Sequence, residues 1–168
     1  RRADIAAVEF VERGDLAEVI PRFVIRALNG MRPVIFGDGK QGRDFTYVTE
    51  TAEGIVAAAD CDAMVGEVAN IAFGRMIAVG EVAVAVARAC GRPDLNPEHL
   101  EARPGDVAAL WADTARARAL FGFSAKIAFE DGLQRYVQWF RRRHPDPSAA
   151  IENDVRNWSL PPAAESRP

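Results

Sequence analysis

The residues best suited to chemistry lie between Val34 and Val48, where Gly37, Gly39 and Gly42 fit the spacing G-x-G-x-x-G. Such a loop cradles a dinucleotide only when a strand leads into it and a helix leaves it, because the helix N-terminus holds the pyrophosphate. Val34-Ile-Phe36 supplies the strand. Immediately after the last glycine, Arg43-Asp-Phe-Thr-Tyr-Val48 alternates polar and apolar residues of aromatic and β-branched type, which predicts a second strand. No acidic residue closes a further strand about 20 positions on, as a ribose contact requires. The glycines are therefore expected to form a loop between two short strands, and a nicotinamide site there is rejected. Arg43 leaves that loop at the start of a strand, a good place to present a guanidinium to phosphate, although a surface arginine paired with Asp44 is the plainer alternative. Arg103-Pro-Gly-Asp106 is a turn sequence that can present its two charged side chains on one side.

These residues need elements to hold them. Pro21 suits the first turn of a helix that buries Phe23, Val24, Ala27 and Leu28 and ends at Gly30. Thr49 is placed to cap a helix running to about Asp60, and 67–72 reads as a strand. Met76-Ile-Ala78 is a short strand, followed by a helix from Val79 to Cys90 with Val82, Val86 and Ala89 on one face. Residues 98–102 read as a strand, Asp113 as the cap of a helix to Phe121, and 130–143 as the last helix. Short strands set among several helices predict a mixed α/β subdomain rather than a doubly wound sheet. Residues 1–14 match no recognisable element, 15–144 form the expected domain, and 145–168 form a tail punctuated by Pro145, Pro147, Pro161 and Pro162.

Composition narrows the function. The chain has 168 residues and a formal net charge of −3, so nothing draws it as a whole toward nucleic acid or a membrane surface. No apolar run reaches the roughly 18 residues that span a bilayer, and the first residues lack the apolar core of a secretion signal. A cytoplasmic protein is expected, with Cys61 and Cys90 as buried free thiols. Arg141-Arg-Arg-His144 ends a helix, where cations suit the dipole, and is not read as a nucleic-acid patch. His99 and His144 have no cysteine or carboxylate at ligand spacing, so no metal site is assigned. No serine sits in a nucleophile elbow.

The segment G-D-G-x-Q-x-R-D-F-x-Y-V resembles the nucleotide-sugar epimerase/dehydratase family, the extended short-chain dehydrogenases. The resemblance continues in order through Gly66-Glu-Val-Ala-Asn-Ile-Ala72, Ala102-Arg-Pro-Gly-Asp106, Trp111-Ala-Asp113 and Phe129-Glu-Asp-Gly-Leu133, and covers roughly residues 15 to 144. It implies that this is the C-terminal, substrate-binding part of such an enzyme. By the same resemblance Arg43 and Arg103 meet the diphosphate, Asp106 meets the ribose, Phe36 packs on the base with Ile35 beside it, and Val19 offers backbone. Glu18 stands where the family often has a polar diphosphate contact; a glutamate repels phosphate, so that contact is not carried over. Leu110 replaces a tyrosine of several epimerases and loses its hydrogen bond.

The family's catalytic elements are a G-x-x-G-x-x-G loop and a Y-x-x-x-K pair, in which the lysine lowers the tyrosine pKa so that it can act as a base. Neither occurs in this sequence. Tyr47 is followed four residues on by Thr51 and Tyr136 by Phe140, and the only lysines are Lys40 and Lys126. No catalytic or cofactor-binding residue is therefore assigned. The expectation is the nucleotide-sugar-binding portion of a 4-epimerase for a UDP-sugar (dTDP is the other candidate), with NAD bound by a missing Rossmann half supplied in cis or in trans, and a homodimer possible through the family's habit. The alternatives are a 4,6-dehydratase or decarboxylase portion, and a non-catalytic nucleotide-sugar-binding or protein-interaction module.

Overall fold

The structure, a computed structural model, describes residues 9–10, 18–151 and 158–159. Three helices make the core. α1 (Val19–Leu28) turns Phe23, Val24, Ile25 and Ala27 inward. α3 (Val79–Ala89) contributes Val82, Ala83, Val86 and Ala87, and α5 (Phe129–Arg143) contributes Leu133, Val137 and Phe140. The apolar positions recur at three- and four-residue intervals, so each helix carries one stripe, and the stripes meet in one cluster with Ile35 and Ile77. Cys90, just past α3, lies in this cluster as a free thiol, and burial pushes its pKa up to about 11. Cys61 is also free and only half-buried.

The strands are short and fall in separate small sheets. β1 (Glu9–Phe10) pairs antiparallel with β7 (Trp158–Ser159). β2 (Val34–Phe36) pairs parallel with β5 (Glu98–Leu100), with Ile35 opposite His99. β3 (Gly42–Asp44) lies between antiparallel β4 (Met76–Ala78) and parallel β6 (Ala109–Leu110). The fold is the mixed α/β subdomain expected. Two further helices, α2 (Val48–Ala59) and α4 (Ala115–Phe121), both meet the 3-10 turn at Asp62–Met64. No helix among the described residues is long and apolar enough to cross a membrane. Of the tail, 147–150 forms a 3-10 turn against α1, where the Asn29 side-chain amide donates to the Pro147 carbonyl at 3.0 Å. The expectations for 1–14 and for the rest of the tail fall largely outside the described residues.

Several expected elements are altered. The strand predicted over 43–48 stops at Asp44, because Val48 begins α2 and Tyr47, not Thr49, is its N-cap. Asp113 does cap α4, but from one position further out: Thr114 is the N-cap, and the Asp113 carboxylate accepts from the Ala115 N–H at 2.8 Å. Leu28 is half-buried rather than buried. Residues 67–72 form no strand, and Ala72 lies in a bend. The backbone of 68–72 makes no ladder hydrogen bond among the described residues, and a strand exists only where a neighbour completes the ladder. The segment is held instead by the Asn70 side chain, which donates to the Asp113 carbonyl at 3.0 Å.

Candidate nucleotide-binding site

The glycine loop is fastened to the start of α3. The Gly80 N–H donates to the Gly39 carbonyl and the Val79 N–H to the Gln41 carbonyl, both at 2.9 Å. A β-carbon on Gly80 would crowd the Gly39 oxygen at 3.3 Å, and Gly39 itself has φ +77°, a conformation that favours glycine. The Gln41 amide donates to the Phe36 carbonyl at 2.8 Å and closes the loop across its base. Past the glycines the chain enters β3 at Gly42 and not a helix. The chain therefore does not run from the loop into a helix, as the dinucleotide fingerprint requires, and the N–H groups at the start of α3 are taken by the loop's own carbonyls.

Strand β3 brings Arg43 to one wall of a cavity of about 270 Å3. Its guanidinium is fixed by backbone: Nη1 donates to the Gly42 carbonyl at 2.8 Å and to the Val107 carbonyl at 2.7 Å. Nη2 pairs with the Asp106 carboxylate at 2.8 Å. An arginine has five N–H donors. Three are thus engaged among the described residues, which leaves Nε–H and one hydrogen of Nη2 for a ligand. The plainer alternative for Arg43 is ruled out, since its carboxylate partner is Asp106 and not its neighbour Asp44. The Asp44 side chain turns away to accept from Gly74 N–H at 2.9 Å and Ala112 N–H at 3.4 Å, tying β3 to both flanking loops.

Arg103 and Asp106 are the ends of a tight turn. The Asp106 N–H donates to the Arg103 carbonyl at 3.3 Å, and Gly105 has φ +74°. Proline at the second position and a positive-φ glycine at the third are the type II pattern, which brings first and fourth residues side by side. The Arg103 guanidinium lies 6.0 Å from the centre of the Phe36 ring, within cation–π range. All six sequence-derived candidates, Val19, Ile35, Phe36, Arg43, Arg103 and Asp106, line this one cavity. Arg43 and Arg103, some 60 residues apart in sequence, converge there. Their neighbours differ in access: Ile35 is buried in the core, whereas Phe36 is half-buried and already faces the Arg103 guanidinium.

Residues the sequence did not single out share the cavity. Arg22, Arg26 and Gln41 line it, together with Glu18, whose place beside the site the sequence had marked. Arg26 is turned toward the far end, where Nε donates to the Arg32 carbonyl; desolvation holds its pKa below the usual arginine value, partly offset by Glu98. The signal for the α1 arginines was their four-residue spacing from Glu18, which puts all three on one helix face. A second missed feature is Glu50, buried on α2, whose Oε1 accepts from the Lys126 and Ile127 N–H groups. No group of three or more histidine, cysteine or carboxylate side chains stands together among the described residues as a metal site would need.

Comparison with known proteins decides the family. The model of the GDP-mannose 4,6 dehydratase family matches residues 9–136. The chain belongs to the NAD-dependent nucleotide-sugar epimerase/dehydratases. A UDP-glucuronate 4-epimerase of Thermodesulfobacterium geofontis is 34% identical over 106 residues, which cover 62% of this chain and 32% of that protein. A UDP-N-acetyl-alpha-D-glucosaminuronate decarboxylase of Bacillus cytotoxicus is 31% identical over 150 residues, covering 84% of this chain and 43% of the relative. Among solved structures, the UDP-glucuronic acid 4-epimerase of Bacillus cereus, in complex with UDP-glucuronic acid and NAD, superposes with a TM-score of 0.70 at 27% identity, over 76% of this chain and 40% of that one. The chain thus spans about a third to two-fifths of the length of these epimerase/dehydratase relatives, which include epimerases, dehydratases and decarboxylases.

Proposed function

We propose that this chain is the nucleotide-sugar-binding portion of an NAD-dependent nucleotide-sugar 4-epimerase, with a UDP-sugar as ligand. The observation that carries this reading is the convergence of Arg43, Arg103, Asp106, Phe36 and Val19 on one cavity. A diphosphate brings two negative charges, and the Arg43 fork is preorganised by two carbonyls before any ligand arrives. Preorganisation lowers the cost of ordering that side chain on binding. In this reading the phosphate oxygens take the free Arg43 donors and part of the Arg103 guanidinium, while Asp106 accepts from the ribose hydroxyls. The same Asp106 balances Arg43 when no nucleotide is bound.

NAD and the tyrosine–lysine pair belong, in this reading, to a Rossmann half outside these 168 residues, in cis or in trans. Two features of the fold support a missing neighbour. α2 buries Glu50 and Gly54 on one side yet exposes Val48, Ile55 and Val56 on the other. A helix that is apolar on both sides is normally covered on both. Close to it in sequence, the backbone of 68–72 has no ladder partner among the described residues, and Val65 and Val68 are exposed. A second reading, a decarboxylase portion, is favoured by the long stretch shared with the decarboxylase of Bacillus cytotoxicus.

Calorimetric titration tests the site. UDP should bind the chain, and Arg43→Ala or Arg103→Ala should weaken it tenfold or more, in line with charge-assisted bonds of about 1.5–3 kcal/mol each. Lysine at either position should recover only part, because it keeps the charge and loses the fork. Asp106→Ala should cost less. The 168 residues alone should neither retain stoichiometric NAD nor turn over a nucleotide sugar. UDP affinity indifferent to both arginines would sink the reading.

A further inference from the structure

One part of the cavity wall is built on an open sheet edge. β2 has a single neighbouring strand, β5, among the described residues. The Glu98 N–H donates to the Pro33 carbonyl at 2.8 Å, and the Gly37 N–H to the Leu100 carbonyl at 2.9 Å. Alternate residues of a parallel ladder turn their peptide groups to the same neighbour, so 33, 35 and 37 face β5 and Phe36 faces the open side. A third strand would ordinarily satisfy the Phe36 carbonyl there. It accepts instead from Gln41 Nε2 at 2.8 Å, across the glycine loop. A carbonyl can be met only by a donor, which turns the nitrogen of the amide, and not its oxygen, toward β2. The Gln41 main chain is held as well, since its own carbonyl accepts from the Val79 N–H at 2.9 Å. One residue thus joins the end of β2 to the start of α3. The loop it closes has positive φ at Gly37 and Gly39, and glycines give up much chain freedom when they are ordered.

We propose that Gln41 is a positioning residue for the nucleoside: its amide sets the Phe36 main chain, and with it the aromatic wall of the cavity, before a ligand arrives. This rests on the nucleotide-sugar reading of the cavity, which Gln41, Phe36 and Arg43 line together. The bond acts on the main chain, so the Phe36 ring keeps its contacts, the Arg103 guanidinium 6.0 Å from its centre among them. A wall already in place costs less to order on binding. Arg43 and Arg103 supply the charge that a diphosphate needs. Gln41 is neutral, and its effect passes through an aromatic side chain that inorganic pyrophosphate has no group to meet. Loss of the Gln41 bond therefore weakens a nucleotide and spares a bare diphosphate.

The test titrates UDP into the whole chain, measures inorganic pyrophosphate by its displacement of UDP, and follows the melting temperature of each variant. Gln41→Met keeps the length of the side chain and removes the donor. It should weaken UDP about fivefold, the worth of one ordinary hydrogen bond. Gln41→Asn keeps the amide on a stem one carbon shorter and should lose as much, so either variant decides if the other folds poorly. Pyrophosphate affinity should stay unchanged in both. In a Phe36→Ala background Gln41→Met should cost little more, because the wall it positions is gone. That double variant decides by itself should pyrophosphate bind too weakly to measure. Unchanged UDP affinity in both Gln41 variants, equal losses for UDP and pyrophosphate, or full additivity with Phe36→Ala overturns the role of Gln41. A loss of UDP affinity in Arg43→Ala would still leave the nucleotide reading standing. Absence of UDP binding by the native chain, or indifference to both Arg43→Ala and Arg103→Ala, overturns both.

Discussion

The core between α1, α3 and α5 and the flank formed by α2 with 65–72 are built from similar residues and meet opposite fates. In the core Val24, Val82 and Phe140 are 0% exposed. On the flank Val48 is 71%, Val56 60% and Val68 78% exposed. Valine is as apolar in one place as in the other, so the difference lies in what surrounds it. Core stripes find each other within the chain, and the flank stripe has no counterpart among the described residues. The inner side of α2 is finished, by contrast: Gly54 lets Ile71 and Phe123 approach the helix axis, and Glu50 ties its first turn to 126–127. One region is a completed core; the other leaves apolar side chains exposed among the described residues, where the proposed missing half would cover them.

Three experiments probe that contrast. The largest effect is expected from truncation in the core. Phe140→Ala should cost about 3–5 kcal/mol in chemical denaturation, through lost burial and the cavity left behind. Val56→Ala on the flank should stay within about 0.5 kcal/mol, as for an exposed position. Comparable losses at the two sites would mean that the flank is covered within this chain.

A smaller effect is expected where the flank helix meets the rest. A β-carbon at Gly54 would stand 2.7 Å from Ile71 Cγ2 and 2.8 Å from Phe123 Cε2. Gly54→Ala gains helix propensity but must push both side chains aside, so a net destabilisation of roughly 1–2 kcal/mol should appear in thermal melts. A stabilised Gly54→Ala chain would show that α2 is loosely held on its inner side as well as bare on its outer one.

The mildest test uses alkali. Burial raises the Cys90 thiol to about 11 and the Tyr136 phenol to about 12. Both groups hold their protons more tightly folded than unfolded. Their contribution to stability is intact below the unfolded values, near 8.5 and 10, and is lost as pH rises through the folded ones. Stability should therefore decline from about pH 9 toward pH 12. Over the same range Cys61 should react with a thiol reagent well before Cys90, because only the core thiol is buried. Equal rates for the two cysteines would place Cys90 outside the core.

Much of the fold was legible because its signals are local. Phe23, Val24 and Ala27 repeat at helical intervals, Gly30 stops α1 with φ +72°, and the glycines around Asp38 interrupt two strand-like runs. The strand over 43–48 was read too long because alternation cannot tell a strand from an extended helix entry; the backbone at Tyr47 is extended, yet it caps α2. The segment 67–72 has the composition of a strand, but pairing depends on a partner that composition does not supply. Glu50 escaped notice since nothing in a single acidic residue of a helix's first turn announces that two distant N–H groups will converge on it.

For the site, residue type and spacing by themselves marked the Gly37–Gly42 loop, the Arg43 fork, and the Arg103–Asp106 turn with its proline and glycine as candidates, and the family resemblance gave them their ligand roles. Local sterics fix those features, so they survive without knowledge of the fold. Only the tertiary structure decided that these pieces, about 60 residues apart, face one cavity, that Asp106 rather than Asp44 holds Arg43, and that Arg22 and Glu18 line the same cavity. Those outcomes depend on how α1 packs against α3 and how β3 pairs with β4 and β6, and such long-range packing is set by the sum of many weak contacts that no short stretch of sequence contains.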